Sequence, residues 1–578
     1  MRGRAKQSAF GPIGLQAAYA LVCLLFSWVA TADEVGKVNP SLAKFQQGFK
    51  PRLEKMGQRV YMAFGYDYAN FAFIEGDDGV IVVDTGWFSG QVQPAVDAFR
   101  SISNKPVVAV IYTHVHSDHT GGSGVFARYA TDGLAVYAHE DWRERIHYDS
   151  SSVQPMIARR AFSQMGFVLP EGPEGTVGSG IGPVARANGE SSFVAPTVDV
   201  GEKFELVISG VRVQMWHAPA DIKSNLLVWL PEERVLFSGD SLGGTLPYIA
   251  TPRFEPDRDP RDFISTIELM QGLPAEYIVP GHGRPIVGRQ DVQDVLKANR
   301  DIIQFLADQV ERHIILGYTA DEIIDNLQLP AALATHPDLQ PHYHRMDWII
   351  RGLYTKHAGW AADNQELLRL SHSEEAKRLI AMLGGPDKLL QHAEDALRDG
   401  DPRWSATLAN IHARSGMTEE SDRAQEILIS AYREIAFSTD SASERNYLLT
   451  AVKDMESPIP WPRLFLNAER RNMEPRSNAD ILSSFGVRLA AEDVLNEELT
   501  VQVVVNRDSN RYVMHVSNGV LRVLLDSPQV SQGQFSIDRD DLVSVAIRET
   551  SWRQLLDSGK IDISICEREV KQLLSVIE

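Results

Sequence analysis

Short apolar runs alternate with polar stretches through the first half of the chain. Residues 80–83 and 107–111 are continuously apolar, which is typical of strands that are buried on both faces. The stretch 91–103 between them has a helical pattern. Alternating strands and helices predict a layered α/β domain over residues 33–291. Further strands are predicted at 134–138, 205–208, 211–216, 226–230 and 235–237, and a long loop rich in Gly, Pro and Ser at 165–200.

The pattern becomes helical beyond residue 291. Thr319 and Glu322 have the spacing of a capping box, which opens a helix. The segment Gly400-Asp401-Pro402 interrupts a run of Ala-rich helices. We therefore predict an all-helical domain over residues 292–456, which forms a bundle or a dimerisation layer.

A Pro-rich linker at residues 457–462 marks another domain boundary. Two runs of β character follow it, and Ser517-Asn518-Gly519 predicts a tight hairpin into the run 520–525. Amphipathic helices close the chain. We predict a small α+β domain over residues 463–578.

The N-terminus has the layout of a secretory signal peptide. Three basic residues among the first six precede a mostly apolar run at 13–29, and a small-x-small cleavage pattern follows at 30–32. The apolar run is short for a membrane span and Gln16 interrupts it. We therefore favour a cleaved signal peptide over residues 1–32 to a retained anchor, and expect an exported protein, periplasmic or secreted.

Charge and cysteine content narrow the possible partners. The chain of 578 residues has 57 Lys+Arg and 77 Asp+Glu, a net charge of −20. Acidic surfaces repel phosphate backbones, so we expect no nucleic-acid partner. Cleavage would remove Cys23 and leave Cys566 alone, so no internal disulfide is expected. We also expect no transmembrane segment in the mature chain.

The strongest chemical signal follows the second apolar run. His114, His116, Asp118 and His119 place three histidines and one aspartate within six residues. In a loop, the first two can converge on one metal while the last two turn toward a second. Imidazole nitrogens and carboxylates are ligands that suit zinc and neighbouring divalent metals. The motif therefore predicts a metal site.

This motif resembles that of the metallo-β-lactamase superfamily, and other segments arrive in that family's order. Asp84 ends a predicted strand, Asp240 follows Ser238-Gly239, and His282 follows Pro280-Gly281. The resemblance implies a four-layer αββα sandwich. It also implies that Asp84 orients a ligand histidine, that Asp240 bridges two metals, and that His282 is the final ligand.

One ligand position has two candidates, His217 and Asp221. Both precede the predicted strand 226–230. Counting back from Leu230-Pro231, as the family pattern does, gives Asp221. His217 lies four residues earlier and would then line the pocket or support a ligand.

Within the superfamily the chain resembles the alkyl sulfatases, from about residue 40 to the end. The long loop, Ala218-Pro-Ala-Asp221, Thr251-Pro-Arg253 and the stretch 351–360 all resemble segments of that branch. The resemblance implies a dimerisation domain, a sterol-carrier-like C-terminal domain, a homodimer, and hydrolysis of alkyl sulfate esters by a metal-activated water. Two Zn²⁺ ions, or other divalent metals, would be held by His114, His116 and Asp221 and by Asp118, His119 and His282, with Asp240 bridging and Arg253 binding the sulfate.

Some residues depart from that branch. Asp221 and Asp240 stand where alkyl sulfatases tend to carry Glu, and Arg253 could instead form a surface salt bridge to Glu255 or Asp257. Alternative functions are a lactonase, thioesterase or β-lactamase on the same scaffold, or a lipid-binding protein with a vestigial metal site. We also expect the Gly-rich loop to form a mobile wall over the cleft. His342 and His344 are expected on a surface or at an interface.

Overall fold

A computed structural model describes most of the chain, in the ranges 36–144, 154–253, 255, 257–461, 470, 473–474 and 476–578. The predicted signal peptide and the end of the Pro-rich linker lie outside these ranges. Two stacked sheets, a set of helices and a smaller sheet follow one another along the chain. Among the described residues, no helix combines the length and the apolar character that crossing a membrane requires.

A seven-stranded mixed sheet forms one half of the first unit. Its strands follow chain order across the sheet: β1 (Arg52–Met56), β2 (Val60–Phe64), β3 (Phe71–Glu75), β4 (Val80–Val83), β5 (Val107–Ile111), β6 (Ala130–His139) and β7 (Val198–Val200). The strands pair antiparallel from β1 to β4 and parallel from β4 to β7. The apolar runs predicted β4 and β5 correctly because both faces of these central strands are buried.

A six-stranded sheet forms the other half. Across the sheet lie β13 (Ile286–Val287), β12 (Tyr277–Pro280), β11 (Val235–Gly239), β10 (Leu226–Leu230), β9 (Val211–His217) and β8 (Lys203–Ile208). All neighbours pair antiparallel except β11 and β12, which are parallel. Residues 165–200 carry one short strand, β7, so most of the predicted loop is confirmed.

The two sheets face each other across a buried apolar core. Phe64, Ile81 and Ile111 enter it from the first sheet, and Val213 and Val228 from the second. Side chains along a strand point alternately to the two faces of the sheet. The side chains on the outer faces of both sheets are largely apolar as well, so helices must cover them. Helices at Ser89–Arg100 and Ser123–Ala127 cover the first sheet, and helices at Pro260–Gln271 and Arg289–Ile315 cover the second. The predicted four-layer αββα sandwich is confirmed.

Helices then dominate as far as residue 456. Thr319 and Glu322 form the predicted capping box, and Asp401 caps the helix after the predicted break by accepting from Trp404 N. The helices are Ala320–Asn326, Ala331–Ala334, Met346–Ala358, Asn364–Leu367, His372–Met382, Pro386–Arg398, Pro402–Ser415, Ser421–Ser438 and Ala442–Glu456. Within the described ranges, three further helices lie earlier in the chain, at Pro40–Gln46, Ser117–Thr120 and Gln154–Met165.

The C-terminal part has an α+β fold. Ser517 pairs with Val520 across Asn518 and Gly519, whose φ values are 52° and 68°, so the predicted tight hairpin is confirmed. The sheet order is β16 (Val520–Leu525), β15 (Tyr512–Ser517), β14 (Glu498–Val505), β17 (Gly533–Ile537) and β18 (Asp562–Ile565). Its helices are Asn478–Ser483, Arg539–Ala546, Trp552–Asp557 and Glu567–Val576.

Candidate metal centre

The His-rich motif begins three residues after the end of β5 and is anchored to Asp84, which directly follows β4. Asp84 accepts hydrogen bonds from Thr113 N and Thr113 Oγ1, each at 2.8 Å. The same carboxylate lies 2.9 Å from His119 Nδ1. Because this contact engages Nδ1, it directs His119 Nε2 toward the centre, as expected for an aspartate that orients a histidine.

Seven side chains from distant parts of the chain converge at this edge of the two sheets. They form two groups, and within each group one ligand atom per residue lies within 4.8 Å of every other. The first group is His114, His116, Asp221 and Asp240, and the second is Asp118, His119 and His282.

Asp240 lies between the two groups. Its Oδ2 is 3.2 Å from His282 Nε2 and 3.8 Å from His114 Nε2. Its Oδ1 is 3.4 Å from His119 Nε2. One carboxylate therefore reaches histidines of both groups, which is the placement expected of a bridging ligand.

The donor set fits divalent cations. His119 Nε2 and Asp240 Oδ1 are buried and make no hydrogen bond to the described residues. Buried polar atoms without partners are unfavourable, and a cation between them would satisfy both. Nitrogen and carboxylate donors together suit zinc and its neighbours.

The local electrostatics place His114 and Asp118 in the forms that bind cations, whereas at His119 and His282 neighbouring carboxylates outweigh burial and raise the pKa, so these two rings must lose a proton to bind. Burial, together with the nearby His119, lowers the pKa of His114 well below its usual value, so its nitrogen is neutral. Burial by itself raises the pKa of Asp118, but His119 and His282 lower it by more, so this carboxylate is ionised. Neutral imidazole and ionised carboxylate are the forms that bind metals.

The structure brings Asp221, and not His217, to the centre. Asp221 Oδ2 lies 3.2 Å from His116 Nδ1. Both ring nitrogens of His217 are engaged elsewhere, Nδ1 at 3.2 Å from Glu202 Oε1 and Nε2 at 2.7 Å from the Lys223 carbonyl oxygen. The carboxylate at this position therefore has the geometry of a ligand.

A buried arginine that the sequence reasoning missed contacts this carboxylate. Arg258 is 3% exposed, forms an ion pair with Asp221 Oδ1, and donates from Nη1 to the Tyr248 carbonyl oxygen at 2.7 Å. Arg258 directly precedes Asp259, which caps the helix Pro260–Gln271. The helix cap at Asp259 could have indicated from the sequence that the backbone at Arg258 has a fixed position. No nearby sequence feature identifies Asp221 as the partner of Arg258.

Arg253 lies in a largely buried ion pair. Its Nε is 3.1 Å from Glu255 Oε1, and the two side chains are only 12% and 10% exposed. The salt bridge that we considered as an alternative therefore exists, but it is not on the surface. Its burial places a cation with a planar donor group in the interior of the protein.

The prediction that His342 and His344 lie on a surface is wrong; their segment lies at an interface within the chain, where the helical domain meets the first unit. They are 6% and 0% exposed. Their segment packs beneath the loop after β11, where Leu246 N donates to the Gln340 carbonyl oxygen at 3.1 Å. Burial lowers the pKa of His344, and the positive charges of Arg258 and Arg253 lower it further, so this ring is neutral.

The predicted mobile wall is a packed segment in this structure. Gly175, Gly178, Gly180 and neighbouring residues are buried. Gly180 has a φ of +85°, and a Cβ there would lie 2.1 Å from the His342 carbonyl oxygen. Glycine is required at this point because the helical domain and the loop approach each other backbone to backbone.

Models of three families match consecutive parts of the chain. The model described as the metallo-beta-lactamase superfamily matches residues 65–282. The alkyl sulfatase dimerisation model matches residues 319–457, and the alkyl sulfatase C-terminal model matches residues 469–578.

Comparison with individual proteins also finds alkylsulfatases among the similar sequences and solved structures. The linear primary-alkylsulfatase of Pseudomonas sp. (strain ATCC 19151) is 31% identical over 422 residues, which cover 72% of this chain and 79% of the relative. The (R)-specific secondary-alkylsulfatase of Pseudomonas sp. is 26% identical, covering 86% and 76%. The solved structure of the stereoselective inverting sec-alkylsulfatase Pisa1 from Pseudomonas sp. shares the fold, with a TM-score of 0.78, 23% identity, and coverage of 93% and 87%. The chain therefore belongs to the alkylsulfatase family within the metallo-β-lactamase superfamily.

Proposed function

We propose that this protein is a binuclear metal-dependent hydrolase that cleaves the sulfate esters of alkyl chains. The observation that carries the proposal is the pair of adjoining His/Asp groups, with the buried Arg258 paired to Asp221 of the first group. The relatives named alkylsulfatases support the substrate class.

We assign two zinc ions, or two other divalent cations, to the two groups. His114, His116 and Asp221 would hold one, and Asp118, His119 and His282 would hold the other, with Asp240 shared between them. The distances from Asp240 to His282 and to His119, 3.2 and 3.4 Å, support the shared role. Asp221 and Asp240 stand where alkyl sulfatases tend to carry Glu, and each Asp side chain is shorter than Glu by one methylene group.

Each side chain of the centre has a role that its environment supports. Bound cations would supply Lewis acidity, which activates water and polarises the ester. Asp84 holds His119 in the tautomer with a free Nε2. Asp118 and Asp240 offer ionised oxygens, since neighbouring histidines lower the pKa of each carboxyl by more than burial raises it.

Arg253 is our candidate for recognition of the sulfate group. A guanidinium presents a planar set of donors that matches an oxyanion. Glu255 holds this guanidinium at 3.1 Å, and sulfate oxygens would compete for it. Arg258 adds a second buried positive charge on the side of Asp221. Together they favour a compact anion despite the net charge of −20.

The remaining parts of the chain suggest how the enzyme is assembled. The match to a dimerisation model over residues 319–457 supports a homodimer formed through the helical domain. The N-terminal sequence supports export to the periplasm or the medium. We assign the C-terminal domain a sterol-carrier-like role, in which it receives the alkyl part of the substrate or product.

The test is release of inorganic sulfate from a medium-chain alkyl sulfate by the zinc-loaded protein. A matched alkyl phosphate, a thioester, a lactone and a β-lactam are assayed in parallel, and the metal content is measured by elemental analysis. We expect two metals per chain and turnover of the sulfate ester alone. Selective turnover of another ester would refute the substrate class, and fewer than two metals would refute the binuclear site.

A further inference from the structure

A buried arginine in the helical domain hydrogen-bonds only to backbone carbonyl groups among the described residues, and its guanidinium lies over the Phe437 ring, 5.4 Å from the ring centroid. Arg445 lies in the first turn of the helix Ala442–Glu456 and is 0% exposed. It makes no ion pair with the described residues. Burial lowers its pKa to about 10, and no neighbouring carboxylate opposes that shift.

The hydrogen-bond acceptors of Arg445 are four carbonyl oxygens from three separate segments. Nε donates to Gly175 O at 2.9 Å, and Nη2 donates to Pro173 O. Nη1 donates to Lys37 O at 2.8 Å and to Ala436 O at 3.0 Å. One side chain thus joins the Gly-rich segment, the start of the described chain and the preceding helix.

The next residue holds the same Gly-rich segment from another side. Asn446 is buried, and its Nδ2 donates to Gln164 O and to Gly178 O, each at 3.1 Å. Both side chains of the pair therefore bind the Gly-rich segment, which extends from Gly166 to Gly182. This helix fixes the segment at its start and in its middle.

The far end of the segment contacts the metal centre. Ile181 O accepts from Gly283 N at 2.7 Å, and Gly283 directly follows His282. The ring of His282 is held in turn by Tyr68 O, 3.1 Å from its Nδ1. A Cβ at Gly182 would lie 2.2 Å from that same Tyr68 oxygen, so the segment also packs against this carbonyl.

We propose that Arg445 and Asn446 are positioning residues for the active site, which hold the Gly-rich segment so that Ile181 and Tyr68 keep His282 in place. Burying an arginine without a carboxylate is unfavourable, and an apolar residue of similar volume would be easier to bury. What the guanidinium adds is five donors in a fixed planar geometry, which can define the path of several backbone segments at once. The kinetic part of this proposal rests on the proposed hydrolase function; the structural part does not.

The experiment compares Arg445→Met and Arg445→Lys with the wild-type zinc-loaded protein. Hydrogen exchange is followed in peptides that cover residues 166–182, and kcat and KM are measured for alkyl sulfate. For Arg445→Met we expect at least tenfold faster exchange in these peptides and a kcat about 10- to 100-fold lower with little change in KM, since small displacements of catalytic groups reduce the rate strongly. Arg445→Lys keeps the charge and some donors, so it should rescue both effects in part.

The matched control is Arg423→Met in the same domain. Arg423 is half-buried and binds Glu394 and Asp387, and none of its hydrogen bonds to the described residues reaches the Gly-rich segment. We expect no change in exchange at 166–182 and no change in kcat for this variant. Faster exchange of the same size in Arg423→Met would overturn the proposal, because the effect would then be a general loss of stability.

A milder variant keeps the test decisive if Arg445→Met does not fold. Asn446→Ala removes only the bonds to Gln164 and Gly178 and should give the same two effects at smaller size. Wild-type exchange and wild-type kcat in this variant would overturn the proposal. If the wild-type protein cleaved no sulfate ester, the proposed function would fail, while the exchange data would still decide whether the pair holds the segment.

Discussion

Replacing Asp84 by Asn tests how the centre is oriented. Asn has the same shape, and its Oδ1 can still accept from Thr113 N, while the Thr113 hydroxyl can turn to accept from the new amide. His119 Nδ1 loses its acceptor, because it would now face an NH₂ group. The ring then favours the tautomer with hydrogen on Nε2, and that nitrogen can no longer bind a cation.

The size of the effect follows from this lost contact. The bond from His119 Nδ1 to Asp84 Oδ2 is 2.9 Å long and buried. Loss of a partner that orients a ligand histidine lowers metal affinity by about 10–100-fold. This corresponds to about 1.4–2.8 kcal/mol of binding free energy. We expect the affinity for one of the two zinc ions to fall by this amount and the other to change little.

The assay is a competition titration of zinc against a chromophoric chelator, with sulfate release measured in parallel. The control is Asp508→Asn in the C-terminal domain, where the carboxylate also accepts three hydrogen bonds, from Tyr512 Oη, Asn478 Nδ2 and Asn510 N. This variant should lower stability without changing zinc affinity. Wild-type zinc affinity in Asp84→Asn would refute the reasoning.

Three further predictions follow from buried groups near the centre. Arg258→Met removes the arginine partner of the buried Asp221 carboxylate and leaves it with His116, so the metal-free protein should lose about 3–5 kcal/mol of unfolding free energy, measured by denaturant titration; an unchanged midpoint would contradict this. Gly180→Ala combines a φ of +85° with a close approach to a carbonyl and should cost more than about 1–2 kcal/mol in the same assay, whereas Gly201→Ala, which has open space, should be tolerated. Burial alone lowers the pKa of His282, but Asp240 and Asp118 raise it from 6.5 to about 9 in the metal-free protein. Its contribution to stability is therefore complete below pH 6.5 and is lost as the pH rises through 9, and a metal-free His282→Gln variant should show a flatter profile over this range.

Local patterns predicted the features that neighbours in the chain create. The central strands β4 and β5, the capping box at Thr319 and the hairpin at Asn518-Gly519 all have the predicted bounds or geometry. The same holds for the close grouping of His114, His116, Asp118 and His119, since residues within one short turn cannot lie far apart. Asp84, Asp240 and His282 were found by resemblance, and the structure places them against this motif.

Errors arose where burial depends on distant segments. His344 follows a polar, aromatic stretch that resembles a surface, but its segment packs beneath the loop after β11, and its ring is buried beside Tyr343 and Trp348. The Gly-rich loop has the composition of a mobile segment, yet Arg445 and Asn446 supply donors for its carbonyl groups. The composition of a segment indicates how that segment behaves in isolation. It does not indicate contacts with residues that are hundreds of positions away in the sequence.

The amino-acid sequence by itself determined a layered α/β domain and the identity of the His-rich motif, because periodicity and spacing are local properties, while the four-layer sandwich was implied by resemblance. The count along the family pattern favoured Asp221 over His217, and the tertiary structure shows why, since β9 and the following turn leave the histidine bonded to Glu202 and Lys223. The tertiary structure alone decided the place of Arg258, whose partner lies 37 positions earlier in the chain. Such contacts depend on how the sheets and helices pack against one another. A short sequence pattern cannot predict that packing.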